Sequence, residues 1–134
     1  MDAEKCRALK SDLSAQKAPI VGIERYLEGN DDEASIGCNL MEHPGMATFR
    51  DILVGLTQRQ DVEAVYAVIS EVDPGKDFWP FTDTILVFGR ITADELRQAL
   101  AKLEPDEVLP AAEFGIDREL LAKHAAPALA AWWD

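Results

Sequence analysis

The residues from Glu28 to His43, EGNDDEASIGCNLMEH, gather five carboxylates (Glu28, Asp31, Asp32, Glu33 and Glu42) with the thiol of Cys38 and the imidazole of His43. Three kinds of chemistry compete for such a set. A hard cation such as calcium takes about six to eight oxygens from alternating positions. Asn30, Asp31, Asp32 and Glu33 are consecutive, so their side chains diverge, and the spacing D-x-[DN]-x-[DN]-G is absent. Zinc fits no better, because Cys6, Cys38, His43 and His124 show no paired ligand spacing. No metal and no other cofactor is expected.

Catalysis is the second possibility. A histidine can activate a thiolate where the two side chains touch, and Cys38 and His43 stand five positions apart. Neither lies in a cysteine-hydrolase context, and a small buried hydrophobe is the commoner role of a cysteine. No serine sits in a nucleophile elbow, and neither G-x-G-x-x-G nor a Walker sequence occurs. An enzyme is therefore not the leading expectation; a small hydrolase or ligand-binding domain using Cys38 and His43 stays as an alternative.

The third possibility is a contact surface. Asp31, Asp32, Glu33 and Glu42 would present concentrated negative potential to a basic partner, which speeds association and weakens with salt. The plainer alternative is a solvated turn kept wet by its acids. Aromatic residues offer an anchor for such a contact. Trp79 lies in DFWPFTD, and Trp132 and Trp133 close the chain beside Asp134. Tryptophan is enriched where interfaces concentrate binding energy, so Trp79 and Trp133 are the candidates. Against this, Trp79 could cap a sheet edge and the C-terminal pair could fill gaps in the core.

The whole chain has the same bias as this loop. Its 134 residues carry 25 acidic and 13 basic side chains, a formal charge of −12. Such a charge repels nucleic acid and anionic membrane surfaces and attracts a basic protein, although acidity also serves solubility alone. No apolar run approaches the ~20 residues that span a bilayer, and the charged start MDAEKCRALK does not resemble a signal peptide. Cys6 and Cys38 are too few for a disulfide framework, so both are expected as reduced thiols in a cytoplasmic protein.

The elements that must position these residues can be read from periodicity. Cys6, Leu9 and Leu13 form a narrow stripe on a helix from Asp2 to about Gln16. The run from Ile20 to Leu27 favours a strand, and Ser35 to Cys38 a short second one. Met46, Phe49, Leu53 and Leu56 predict a helix from about Pro44 to Gln58. Asp61 to Val72 and Thr84 to Phe88 read as strands, the first apolar on both faces. Thr92 and Glu95 fit a capping box for a helix that stops before Pro105, and residues 104–107 read as a solvated corner. Asp117 to His124 suggests a short helix capped by Asp117, and ALAAWWD a closing strand.

The resulting expectation is one α+β domain over residues 1–134, a largely antiparallel sheet with helices packed on it. A ferredoxin-like arrangement is one option among several. The function expected is that of a non-catalytic acidic binding protein, an immunity- or antitoxin-type inhibitor of a basic partner such as a bacterial toxin. A homodimeric scaffold protein is the alternative outside catalysis, and the chain itself is expected as a monomer or homodimer.

Overall fold

The computed structural model describes residues 1–134 and shows an α+β domain built on one five-stranded sheet. Strands β1 (Ile20–Gly22), β2 (Val62–Glu71), β3 (Phe81–Gly89), β4 (Glu107–Pro110) and β5 (Ala128–Trp132) lie in the order β1-β2-β3-β5-β4. Every neighbouring pair is antiparallel. Helices α1 (Ala3–Ser14), α2 (Ile23–Leu27), α3 (Met46–Leu56) and α4 (Ala93–Ala99) share one core with the sheet. Helix α5 (Arg118–Leu121) belongs to a segment that packs its Leu120 against the other face.

Period explains the layering. In α1, Cys6, Leu9 and Leu13 are the buried residues, while Asp2 caps the first turn by accepting from the Lys5 amide. In α3, Met46, Phe49, Leu53 and Leu56 are buried, each large side chain worth about 1.5–3 kcal/mol of apolar burial. Thr92 and Glu95 form the reciprocal capping box at the start of α4. Strand β3 is central, so the alternation of a one-sided strand is lost and Thr84 to Gly89 are all buried. Its end is fixed by a close approach: a Cβ on Gly89 would run into the Asp61 carbonyl.

Four readings of the sequence are corrected. The strand expected from Ile20 to Leu27 ends at Gly22, and the chain then turns into α2. Ile23, Tyr26 and Leu27 are all buried and stand at i, i+3, i+4, so a helical stripe was concealed among residues of high strand propensity. Ser35–Cys38 is not a strand; a 3-10 turn covers Glu33–Ser35, and Ile36 makes one isolated parallel bridge to Thr82. The stretch after Pro105 includes an edge strand, β4, in which Val108 is buried between exposed Glu107 and half-buried Leu109. The short helix near the C-terminus covers only Arg118–Leu121, with Asp117 accepting from the Glu119 amide as its cap. The closing strand is present as β5, and its register explains the tryptophans. Trp132 pairs with Thr84 and is half-buried, whereas Trp133 lies just beyond the strand with its ring in the core.

Candidate functional site

The loop from Glu28 to His43 is assembled on a buried polar scaffold. Asn30 is fully buried: its amide donates to Ser35 Oγ at 2.9 Å, and its carbonyl oxygen accepts from the Asp32 amide at 2.9 Å. Ser35 Oγ in turn donates to the Asp32 carbonyl at 2.7 Å. Asp32 uses both carboxylate oxygens on backbone, accepting from Ala34 at 3.0 Å and from Trp79 at 2.9 Å. Tyr26, also fully buried, shares its hydroxyl proton between the carbonyls of Ser35 and Pro80, at 2.9 and 2.7 Å. Burial pushes its phenol well above the usual range, so it stays a neutral donor. Every one of these bonds is to backbone or to another loop member, which leaves the loop one conformation.

Three of the expected carboxylates stand outside that scaffold. Asp31 is exposed and accepts from the N-terminal ammonium of Met1 at 2.7 Å, a hydrogen bond that holds its carboxyl below the ordinary aspartate range. Glu33 is exposed and lies 3.7 Å from His43 Nδ1. Glu42 is exposed. Asp32 is the exception: it is half-buried and spent on the backbone, so it shapes the loop rather than facing solvent.

Neither candidate tryptophan is available to a partner. Trp79 is 0 % exposed and Trp133 2 % exposed, and the Trp133 indole donates to the Leu103 carbonyl at 2.7 Å. Both belong to the core on the helical side of the sheet. The aromatic and apolar groups that do reach solvent here are Phe78, 44 % exposed, and Met41, fully exposed. Phe78 packs edge-on against Phe81 at 6.1 Å, at the start of β3. Met41 lies on the segment that Asn39 ties to the Asp134 carbonyl, at 3.1 Å. The DFWPF sequence signals an aromatic at a turn, but only the fold decides that Trp79 enters the core while Phe78 stays out.

More carboxylates line the same end of the sheet, where β2 and β5 end and β3 and β4 begin. Asp83, Asp106, Glu107 and Asp134 are exposed there. The chain termini of these strands are knitted together: the Trp133 amide donates to the Asp83 carbonyl at 2.9 Å, and the Asp134 amide to Asp106 Oδ2 at 2.6 Å. At the opposite end Asp61 and Glu95 are instead matched to Arg59, at 2.8 and 3.7 Å. Asp83, Asp106, Glu107 and Asp134 make no ion pair, although Asp31 and Asp73 near them are matched to the Met1 ammonium and Lys10.

The groups weighed for catalysis are not assembled. His43 Nε2 is 2.9 Å from the Ile36 carbonyl, and Nδ1 accepts from the Gly45 amide at 2.9 Å. Both ring nitrogens are thus taken up by backbone, which leaves neither to activate the exposed thiol of Cys38. His43 holds the turn that leads into α3. No three His, Cys, Asp or Glu side chains converge on a common point. A second hydrogen-bonded chain, unnoticed in the sequence because its members are far apart, joins His124 Nδ1 to Glu63 Oε1 at 3.1 Å and His124 Nε2 to the Tyr66 hydroxyl at 2.8 Å. The imidazole also packs on Phe88 at 4.8 Å, so this chain pins the segment after α5 to β2 and β3.

No helix is long and apolar enough to cross a membrane. The chain belongs to the uncharacterized protein YfbO family, whose model matches residues 4–133. No curated protein and no solved structure matches it.

Proposed function

We propose that this member of the family is a non-catalytic acidic binding protein. It docks a basic protein through the acidic end of its sheet, as an immunity- or antitoxin-type inhibitor does. The observation that carries the reading is that a loop locked by Asn30, Asp32 and Tyr26 leaves Glu33, Glu42, Met41 and the Met1-paired Asp31 exposed, with exposed Phe78 next to Trp79, whose amide the loop holds through Asp32. Exposed carboxylates supply attraction over a range of about 10 Å at about 0.1 M salt, and Phe78 and Met41 each supply an apolar contact that slows release. A loop already held in one conformation loses little entropy on binding. The partner's chemistry follows: a surface of Lys and Arg around an apolar recess.

Replacing Asp31, Glu33 and Glu42 together by Lys should slow association with the basic partner by about 10-fold or more at low salt. Thermal stability should barely change. Phe78→Ala should act on dissociation instead. Pull-down from source-cell extract at low and high ionic strength identifies the partner, and stopped-flow mixing with the purified pair reads both rates. An association rate indifferent to the three reversals and to salt sinks the proposal.

A further inference from the structure

The strand that the sequence concealed, β4, is one of the sheet's two outer edges, and its free side is occupied by a side chain. Only β5 pairs with β4. The Val108 carbonyl is taken by Arg97 Nη2 at 2.8 Å, with Arg97 Nη1 held by Asp94 at 2.8 Å. An unpaired strand edge is a template for another strand, and proteins commonly block it with a charged side chain. Beside the edge runs a groove of about 420 Å³, between β4 and the chain that follows α4, lined by Arg97, Glu104, Asp106, Glu107, Val108 and Leu109. Glu104, Asp106 and Glu107 are exposed. None of the three makes an ion pair. Glu104 is also the one non-glycine residue with left-handed backbone, φ 51°, which fixes how the groove's rim turns.

We infer that the β4 edge receives a short extended basic segment of the partner by strand addition, with Arg97 as the removable plug. An incoming amide replaces the guanidinium on the Val108 carbonyl. Lysines or arginines at alternate positions of that segment share one face, because strand side chains have a period of two, and meet Glu107 on β4, while Glu104 and Asp106 line the groove beside it outside the strand. Val108 is 2 % exposed with Arg97 in place, and Pro105 and Pro110 bound the edge that displacing Arg97 opens, so the added strand is only a few residues long. A second copy of this chain fits poorly, because it brings a second set of Glu104, Asp106 and Glu107 to the same groove. The inference rests on the acidic-docking reading above, but it can fail while that reading stands.

The test titrates the isotope-labelled full chain with the peptide acetyl-Lys-Val-Lys-Val-Lys-Val-amide. A version N-methylated at alternate residues serves as control, with its lysine charges kept and its strand donors removed. The expected result is amide shift changes at Arg97 and from Glu107 to Leu109, slowed exchange of the Val108 amide, and binding about tenfold weaker for the methylated peptide. Equal binding of the two peptides, or shifts confined to Asp31–Glu42, overturns strand addition and leaves charge-driven docking intact. No binding by either peptide overturns the inference. Sedimentation of Arg97→Ala should show no added self-association; a concentration-dependent dimer paired through β4 assigns the edge to a second copy and overturns the basic segment as its occupant.

Discussion

The Asn30–Asp32–Ser35 network and the Glu63–His124–Tyr66 chain use the same chemistry in different surroundings. In the first, Asn30 and Ser35 are essentially inaccessible and the bonds run to backbone or within the loop. In the second, the His124 and Glu63 side chains are 22 % and 48 % exposed and the bonds run between side chains of distant segments. A buried polar group whose partner is lost must stay unpaired, whereas one at the surface turns to water. The first network therefore enforces a single loop conformation, and the second only fastens a cover to the outer face of the sheet. What looks like a triad of acid, imidazole and hydroxyl is the weaker constraint of the two.

The comparison can be broken most directly at Asn30. Asn30→Ala strips partners from the Asp32 amide and Ser35 Oγ, and should cost about 2–4 kcal/mol, read as a lower denaturation midpoint in urea. A cost within about 0.5 kcal/mol would mean that water reaches the loop interior. Tyr26→Phe keeps the ring and removes only the hydroxyl, whose proton the Ser35 and Pro80 carbonyls share, so about 1–2 kcal/mol is expected. His124→Ala should cost less, about 0.5–1.5 kcal/mol, and act locally. Amide exchange should quicken in residues 111–127 while β2 and β3 remain protected. Global unfolding in step with the cover would show that the two networks are equivalent after all.

Much of the architecture was legible before the fold was known, for reasons that particular residues make clear. Helices α1, α3 and α4 announce themselves by an apolar stripe, joined by a side-chain cap at α1 and α4 and by Pro44 just ahead of α3, which has no side-chain cap. Helix α2 does not, since Ile23, Tyr26 and Leu27 suit either period over so short a run. Strand β4 has only Val108 and Leu109 as apolar members before Pro110, too little for any pattern. The acidic loop was recognisable, but its division of labour was not. Asp32 bonds the Trp79 amide, 47 positions away, and nothing in local spacing distinguishes it from Asp31 beside it. That same contact shows why Trp79 was a poor choice of anchor: its backbone is fastened to the loop and its ring lies in the core.

The smallest effect concerns acid. The N-terminal ammonium on Asp31, the Arg59 guanidinium on Asp61 and the Thr92 backbone amide on Glu95 each hold a carboxyl below its ordinary value. Their contribution is complete above 3.8 for the aspartates and 4.5 for the glutamate, and fades as the pH falls through the lowered folded values. All three are exposed or half-exposed, so the loss is modest. Unfolding free energies measured stepwise into that range should show a shallower acid limb for Asp61→Asn than for the unaltered chain. Identical limbs would show that the pair with Arg59 adds nothing measurable.

The two thiols have opposite fates. Cys6 is shut within the helical core, 3 % exposed and pushed to a higher pKa by that burial, while Cys38 opens to solvent a few residues from Met41 and Glu42. Because only the thiolate reacts readily, a maleimide dye added to the folded chain should settle on Cys38 alone. The molecule thus carries its own attachment point for a fluorophore beside the proposed docking surface, and arrival of a partner could be watched without replacing a single residue.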